Sequence, residues 1–131
     1  MRLLLDTHVW LWMVSDEHRL NDEARTAITD PDNDLYLSVV SVWELAIKHA
    51  AGKLRYPGSP SVQVPLHIER SGVSPLAVQV EHALIAAALP EHHRDPFDRM
   101  LIAQAQVEDL TLATADGRFG AYDVRLLTVA A

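Results

Sequence analysis

Short apolar runs of strand length alternate with stretches of helical spacing along the whole of this 131-residue chain. RLLLD (2–6), LYLSVVS (35–41), VSPLAV (73–78), TLATAD (111–116) and VRLLTV (124–129) are too short for helices, and each is bounded by turn residues or by a helical pattern. Between them the spacing predicts helices over 7–14, 21–28 with Asn21 as N-cap, 41–54 ending near Gly52, 64–72, 78–90 and 95–110. The three-proline stretch RYPGSPSVQVP (55–65) reads as a loop. Strands separated by helices pair in parallel and are covered on both faces, so the chain is constrained to an α/β fold of a single domain, residues 1–131.

Several functional classes drop out on composition. There is no cysteine, which removes disulfides, thiol nucleophiles and cysteine-ligated zinc, and is compatible with a cytoplasmic setting. The longest apolar run, ALIAAAL at 83–89, is far too short to span a bilayer, so no membrane association is expected. The N-terminus is interrupted by Asp6 and lacks a small-residue cleavage site, so it does not read as a signal peptide. The formal net charge of −7 has the wrong sign for a surface that neutralises phosphates. It is reconciled with nucleic acid only if the acids gather around a cation; otherwise it describes an acidic module that docks a basic partner.

Four acids stand where strands end or helices begin: Asp6, Glu44, Asp98 and Asp116. In parallel α/β sheets ligands sit beyond the carboxyl ends of the strands, and this reading puts Asp6 and Asp116 on that edge, with Glu44 one turn past it. Each acid also has a local explanation. Asp6 is a candidate N-cap, Ser41-Val-Trp-Glu44 matches a capping box, and Asp116-Gly117 is a turn dipeptide. In Asp95-Pro-Phe-Asp98 the first acid is a candidate N-cap and the second falls at the third helical position. Capping accounts for the residues one at a time but not for the set. Carboxylates brought together repel, and a hard divalent cation, Mg²⁺ or Mn²⁺, is the usual remedy.

Around these acids, Thr7 and Thr114 are placed either to cap or to hydrogen-bond water on a metal, and Asp95 is a possible additional ligand. Arg94 and Arg99 bracket the DPFD acids and are candidates for phosphate, which guanidinium binds bidentately. Lys48 lies four residues after Glu44 and reads as its helical ion-pair partner. Seven histidines include no helical pair with zinc-ligand spacing, and read as surface or packing residues. Trp10 and Trp43 read as core or interface, and the aromatic first helix suggests a homodimer surface unless it is used in the core.

The segments LLLDTHVWLW, SVWELAIKHAAGKL, HRDPFDRMLIAQA and TLATAD resemble, in kind and order, the motifs of PIN domains of the VapC-like type found in toxin–antitoxin pairs. The resemblance implies a three-layer α/β/α fold with a central parallel sheet. It implies an endoribonuclease using Mg²⁺ or Mn²⁺ held by Asp6, Glu44, Asp98 and Asp116, acting on RNA and neutralised by a cognate antitoxin protein. Asp98, rather than Asp95, matches the family's acid at the helix start. Two other readings stand beside it: the docking module already mentioned, and phosphoryl transfer through an aspartyl-phosphate on Asp6. Phosphatases of the latter kind want a second acid two residues on, where this chain has His8.

Overall fold

Strand β1 (Arg2–Leu5) lies at the centre of a five-stranded sheet in the computed structural model, which describes residues 1–129. Its leucines Leu3, Leu4 and Leu5 are all fully buried, as expected of a parallel strand with both faces covered. β2 (Asp34–Ser38), β3 (Ser74–Leu76), β4 (Thr111–Thr114) and β5 (Leu126–Thr128) complete the sheet in the order β3-β2-β1-β4-β5, every pairing parallel. Successive side chains of β1 enter opposite layers. Leu3 and Leu5 pack with Trp10, Leu45, Val64 and Leu127, while Leu4 packs with Leu101, Ile102, Leu112 and Phe119.

Six α-helices supply the two outer layers: α1 (Thr7–Ser15), α2 (Asp22–Thr29), α3 (Val39–Ala50), α4 (Pro60–Ser71), α5 (Val80–Ala88) and α6 (Pro96–Glu108). Single turns of 3₁₀ helix occupy Glu17–Arg19 and Gly117–Ala121. The chain runs from β1 outward through β2 to β3, then returns to the other side of β1 for β4 and β5. The reversal therefore falls between β1 and β4, where open parallel sheets leave a crevice at their carboxyl ends. Asp6 leaves β1 there with its backbone N–H bonded to Ala113 of β4 at 2.9 Å.

Two local expectations are corrected. β2 stops at Ser38, and the Val39-Val40-Ser41 run expected to be strand forms the first turn of α3. Ser38 is the cap, its Oγ accepting from the Val40 N–H at 3.1 Å, so Ser41 is interior to the helix and the Ser41–Glu44 capping box does not form. The loop expected over 55–65 is also shortened, because Pro60 opens α4 at its first position and Pro65 is accommodated within it. The end of α3 is as expected: Gly52, at φ +72°, donates to His49 and Lys53 donates to Lys48, a Schellman closure. Trp10 is fully buried, so it belongs to the core, and Trp12, Met13 and Val14 pack partly buried against the same core. Trp43, by contrast, is 61% exposed. Among the described residues no helix is long and apolar enough to cross a membrane.

Candidate metal centre

The end of β1 sets the first carboxylate. Asp6 has the extended backbone of an N-cap but makes no side-chain capping bond. Its carboxylate instead crosses to β4, where Oδ2 accepts from Thr114 Oγ1 at 2.8 Å. The same Thr114 oxygen accepts the backbone N–H of Asp116 at 3.0 Å, so one hydroxyl ties two of the acids together. Asp6 is buried, and that burial pushes its pKa up, opposed by the Thr114 hydrogen bond and reinforced by the negative charge of Glu44.

Glu44 projects from the interior of α3 and is 4% exposed. Oε1 accepts from Thr7 Oγ1 at 2.7 Å, and Oε2 is ion-paired with Lys48. Thr7 and Thr114, two threonines with a capping alternative in the sequence, thus each hold a carboxylate. Lys48 does pair with Glu44 as expected, and its ammonium also feels Asp95 and Asp98.

The DPFD run separates its two acids by function. Asp95 is the N-cap of α6: Oδ1 accepts from the N–H groups of Phe97 at 2.8 Å and Asp98 at 3.3 Å. Asp98, two positions inside the helix, faces the other acids. Its pKa is pushed up to about 7 by burial first, then by Asp95, Asp6, Glu44 and Asp116. Asp116 behaves oppositely. It caps the second 3₁₀ turn and takes a forked ion pair from Arg118, whose guanidinium holds its carboxyl below the usual range. The four acids therefore share one field at the sheet's carboxyl edge, and the environment of Asp98 is that of an anion short of a cation. An all-oxygen set of this kind suits a hard divalent ion.

Arg99 is not available for phosphate. All three guanidinium nitrogens donate to backbone carbonyls, those of Ala86, Ala87, Leu89, Pro90 and His93, so the side chain closes the end of α5 and the following loop. Arg94 is exposed and lines a shallow surface pocket with Glu91 and His93. Two residues near the acids were not singled out from the sequence. Arg118 sits two residues after Asp116, a spacing that says nothing without the 3₁₀ turn. His93 is buried against Phe119 and Tyr122, and one of its ring nitrogens, an Asp98 oxygen and an Asp116 oxygen lie within 4.8 Å of one another. Its only sequence signal was its place in HHRDPFD.

A groove of about 420 Å³ meets the acids at Lys48, and is lined by His8, Trp12, Arg19, Lys48, Lys53 and Arg55 among others and by no acid among the described residues. Lys48 belongs both to the groove and to the Glu44 ion pair, and His8 lies close enough to Asp6 to lower its pKa.

Comparison with known proteins agrees with this architecture. The PIN domain profile matches residues 3–125. Ribonuclease VapC16 of Mycobacterium tuberculosis is 39% identical over 61 residues, which is 47% of this chain and 43% of that protein, so the match spans less than half of the relative's length. Among solved structures, VapBC2 from Rickettsia felis bound to a promoter DNA fragment has a TM-score of 0.73 at 14% identity, over 98% of this chain and 99% of that one. DNA-bound VapBC from Salmonella typhimurium has a TM-score of 0.70 at 17% identity, over 98% of each chain. At such identities the structural likeness is one of fold, the three-layer α/β/α arrangement described above.

Proposed function

The chain belongs to the PIN domain family, and on that premise we propose that it is a divalent-metal-dependent endoribonuclease of the VapC-like type, the toxin of a toxin–antitoxin pair. The observation that carries this reading is the state of Asp98, crowded by four other carboxylates at the carboxyl edge of a parallel sheet. Asp6 and Asp98 are the residues that would hold the ion, with Glu44 and Asp116 completing the set directly or through water. When bound, Mg²⁺ or Mn²⁺ supplies a more acidic water and neutralises charge growing on the phosphate.

The protein's own part is positional. Thr114 fixes Asp6 relative to Asp116, and Thr7 with Lys48 fixes Glu44, so the carboxylates are held before substrate arrives. The groove of His8, Arg19, Lys48, Lys53 and Arg55 is the path we assign to the RNA backbone. It supplies locally the positive charge that the molecule as a whole lacks, and takes the role expected of Arg99; Arg94, exposed, keeps its expected part as a phosphate contact. For the partner, the relevant support is that the compared VapBC structures are toxin–antitoxin assemblies. A basic antitoxin segment laid over the carboxylates would match their charge and block them.

The test is cleavage of single-stranded RNA by the purified chain with Mg²⁺ or Mn²⁺. Asp6→Asn and Asp98→Asn should each lose at least about a hundredfold in rate, and EDTA should abolish turnover. Cleavage that survives either substitution, or that persists in EDTA, sinks the proposal.

A further inference from the structure

His93 is 6% exposed, and neither ring nitrogen has a hydrogen-bond partner among the described residues. Buried polar atoms are almost always satisfied, so two orphans on one ring call for an explanation. Packing does not provide one. The ring lies 5.2 Å from that of Phe119 at an interplanar angle of 26°, and 5.5 Å from Tyr122 at 34°, contacts that a phenylalanine would make with no nitrogen to bury. The ring's place is nonetheless strongly determined. The His93 N–H donates to the Tyr122 hydroxyl at 2.7 Å, and its carbonyl accepts from Arg99 at 3.1 Å. Phe119 and Tyr122 come from the turn that Asp116 caps, while Asp98 and Arg99 are neighbours on α6. The imidazole and the two carboxylates nearest it are thus oriented by the same two elements, and their ligand atoms lie within 4.8 Å of one another.

We propose that His93 is a nitrogen ligand to a divalent cation shared with Asp98 and Asp116, and that this ligand biases the site toward Mn²⁺ over Mg²⁺. The inference rests on the metal-dependent reading above and adds to it a residue and a preference. Imidazole binds first-row transition ions well, whereas Mg²⁺ favours oxygen donors and gives up its waters reluctantly. A site of carboxylates alone discriminates weakly between the two; one nitrogen changes that. Ligation also satisfies a ring atom that the protein leaves without a partner.

The experiment is Mn²⁺ titration of the metal-free chain, with pulsed electron paramagnetic resonance reading the ¹⁴N coupling of a metal-bound imidazole. The wild-type protein should show that coupling. His93→Phe keeps the aromatic packing, which a thermal melt verifies. It should lose the coupling and weaken Mn²⁺ binding about tenfold or more, with Mg²⁺ affinity little changed. His93→Gln, which offers oxygen in place of nitrogen, carries the same test should His93→Phe not fold. A wild-type spectrum without ¹⁴N coupling, or a coupling unchanged in the variants, overturns the inference. Asp98→Asn separates the two levels. If it abolishes Mn²⁺ binding while the wild type shows no ¹⁴N coupling, the carboxylate site stands and His93 is not a ligand. If Mn²⁺ fails to bind the wild type at all, both readings fall.

Discussion

Asp95 and Asp98 are three residues apart, carry the same functional group, and end with opposite work. Asp95 accepts two backbone N–H groups at the start of α6, whereas Asp98 is left among like charges. The difference follows from position on the helix: Asp95, at the N-cap, accepts the first-turn N–H groups, and Asp98 inside the helix takes no such bond among the described residues. A pH dependence comes with it. The Asp98 carboxyl holds its proton up to about pH 7 in the folded chain, against an unfolded value of 3.8. Between those two values the folded state binds more protons than the unfolded state, so stability without metal falls as pH rises through that window. Solvent reaches part of Asp98 and screens it, so the loss at alkaline pH is smaller than the full shift would give. Thermal melts of the EDTA-treated protein from pH 4 to 8 should show a declining Tm, and Asp98→Asn should flatten the decline; an equal slope in both proteins contradicts the account. At this scale the sequence was partly legible. DPFD announced a cap followed by a second acid, because capping is local. It did not announce His93 or Arg118, whose roles depend on a 3₁₀ turn more than twenty residues from the former and on the path of the chain beyond β4.

Arg99 links two helices through backbone alone. Five carbonyls converge on one guanidinium, and they are those left open at the end of α5 and along the loop to His93. A planar fork with five N–H donors can serve such a set; an ammonium cannot reach it at once. Arg99→Lys should therefore destabilise the protein by about 1–3 kcal/mol, measured by urea unfolding, with faster amide exchange concentrated in residues 86–95. Exchange spread evenly over the chain would show that the clamp is not local. No sequence pattern marks such a residue, because its partners are carbonyls, which every residue has. The element boundaries show a similar division. α2 and α6 begin where the Asn21 and Asp95 caps predict. β2 and α3 were misjoined because Val39-Val40 suits a strand and a buried helical turn equally, and a serine stands at both 38 and 41. The register of the sheet, β3-β2-β1-β4-β5, lay beyond any local signal, although alternation had already fixed its parallel sense.

For the whole molecule, a net charge of −7 and the proposed phosphodiester substrate are compatible because the charges are segregated. The acids act on Asp98 through space at the sheet's edge, and Arg19, Lys48, Lys53 and Arg55 line the neighbouring groove. Lys53→Ala with Arg55→Ala should raise KM for RNA several-fold with kcat little changed. It should also lower the slope of log binding constant against log salt by about 1.4, roughly 0.7 for each phosphate contact removed from a single strand. Unchanged salt dependence would place the RNA elsewhere. The same segregation makes cation binding and proton binding competitors for one set of oxygens. At neutral pH a fraction of Asp98 carboxyls carry a proton that an arriving ion must displace. Metal uptake, under the proposed function, is thus also an acid-releasing reaction, and the heat it evolves depends on which buffer receives the proton.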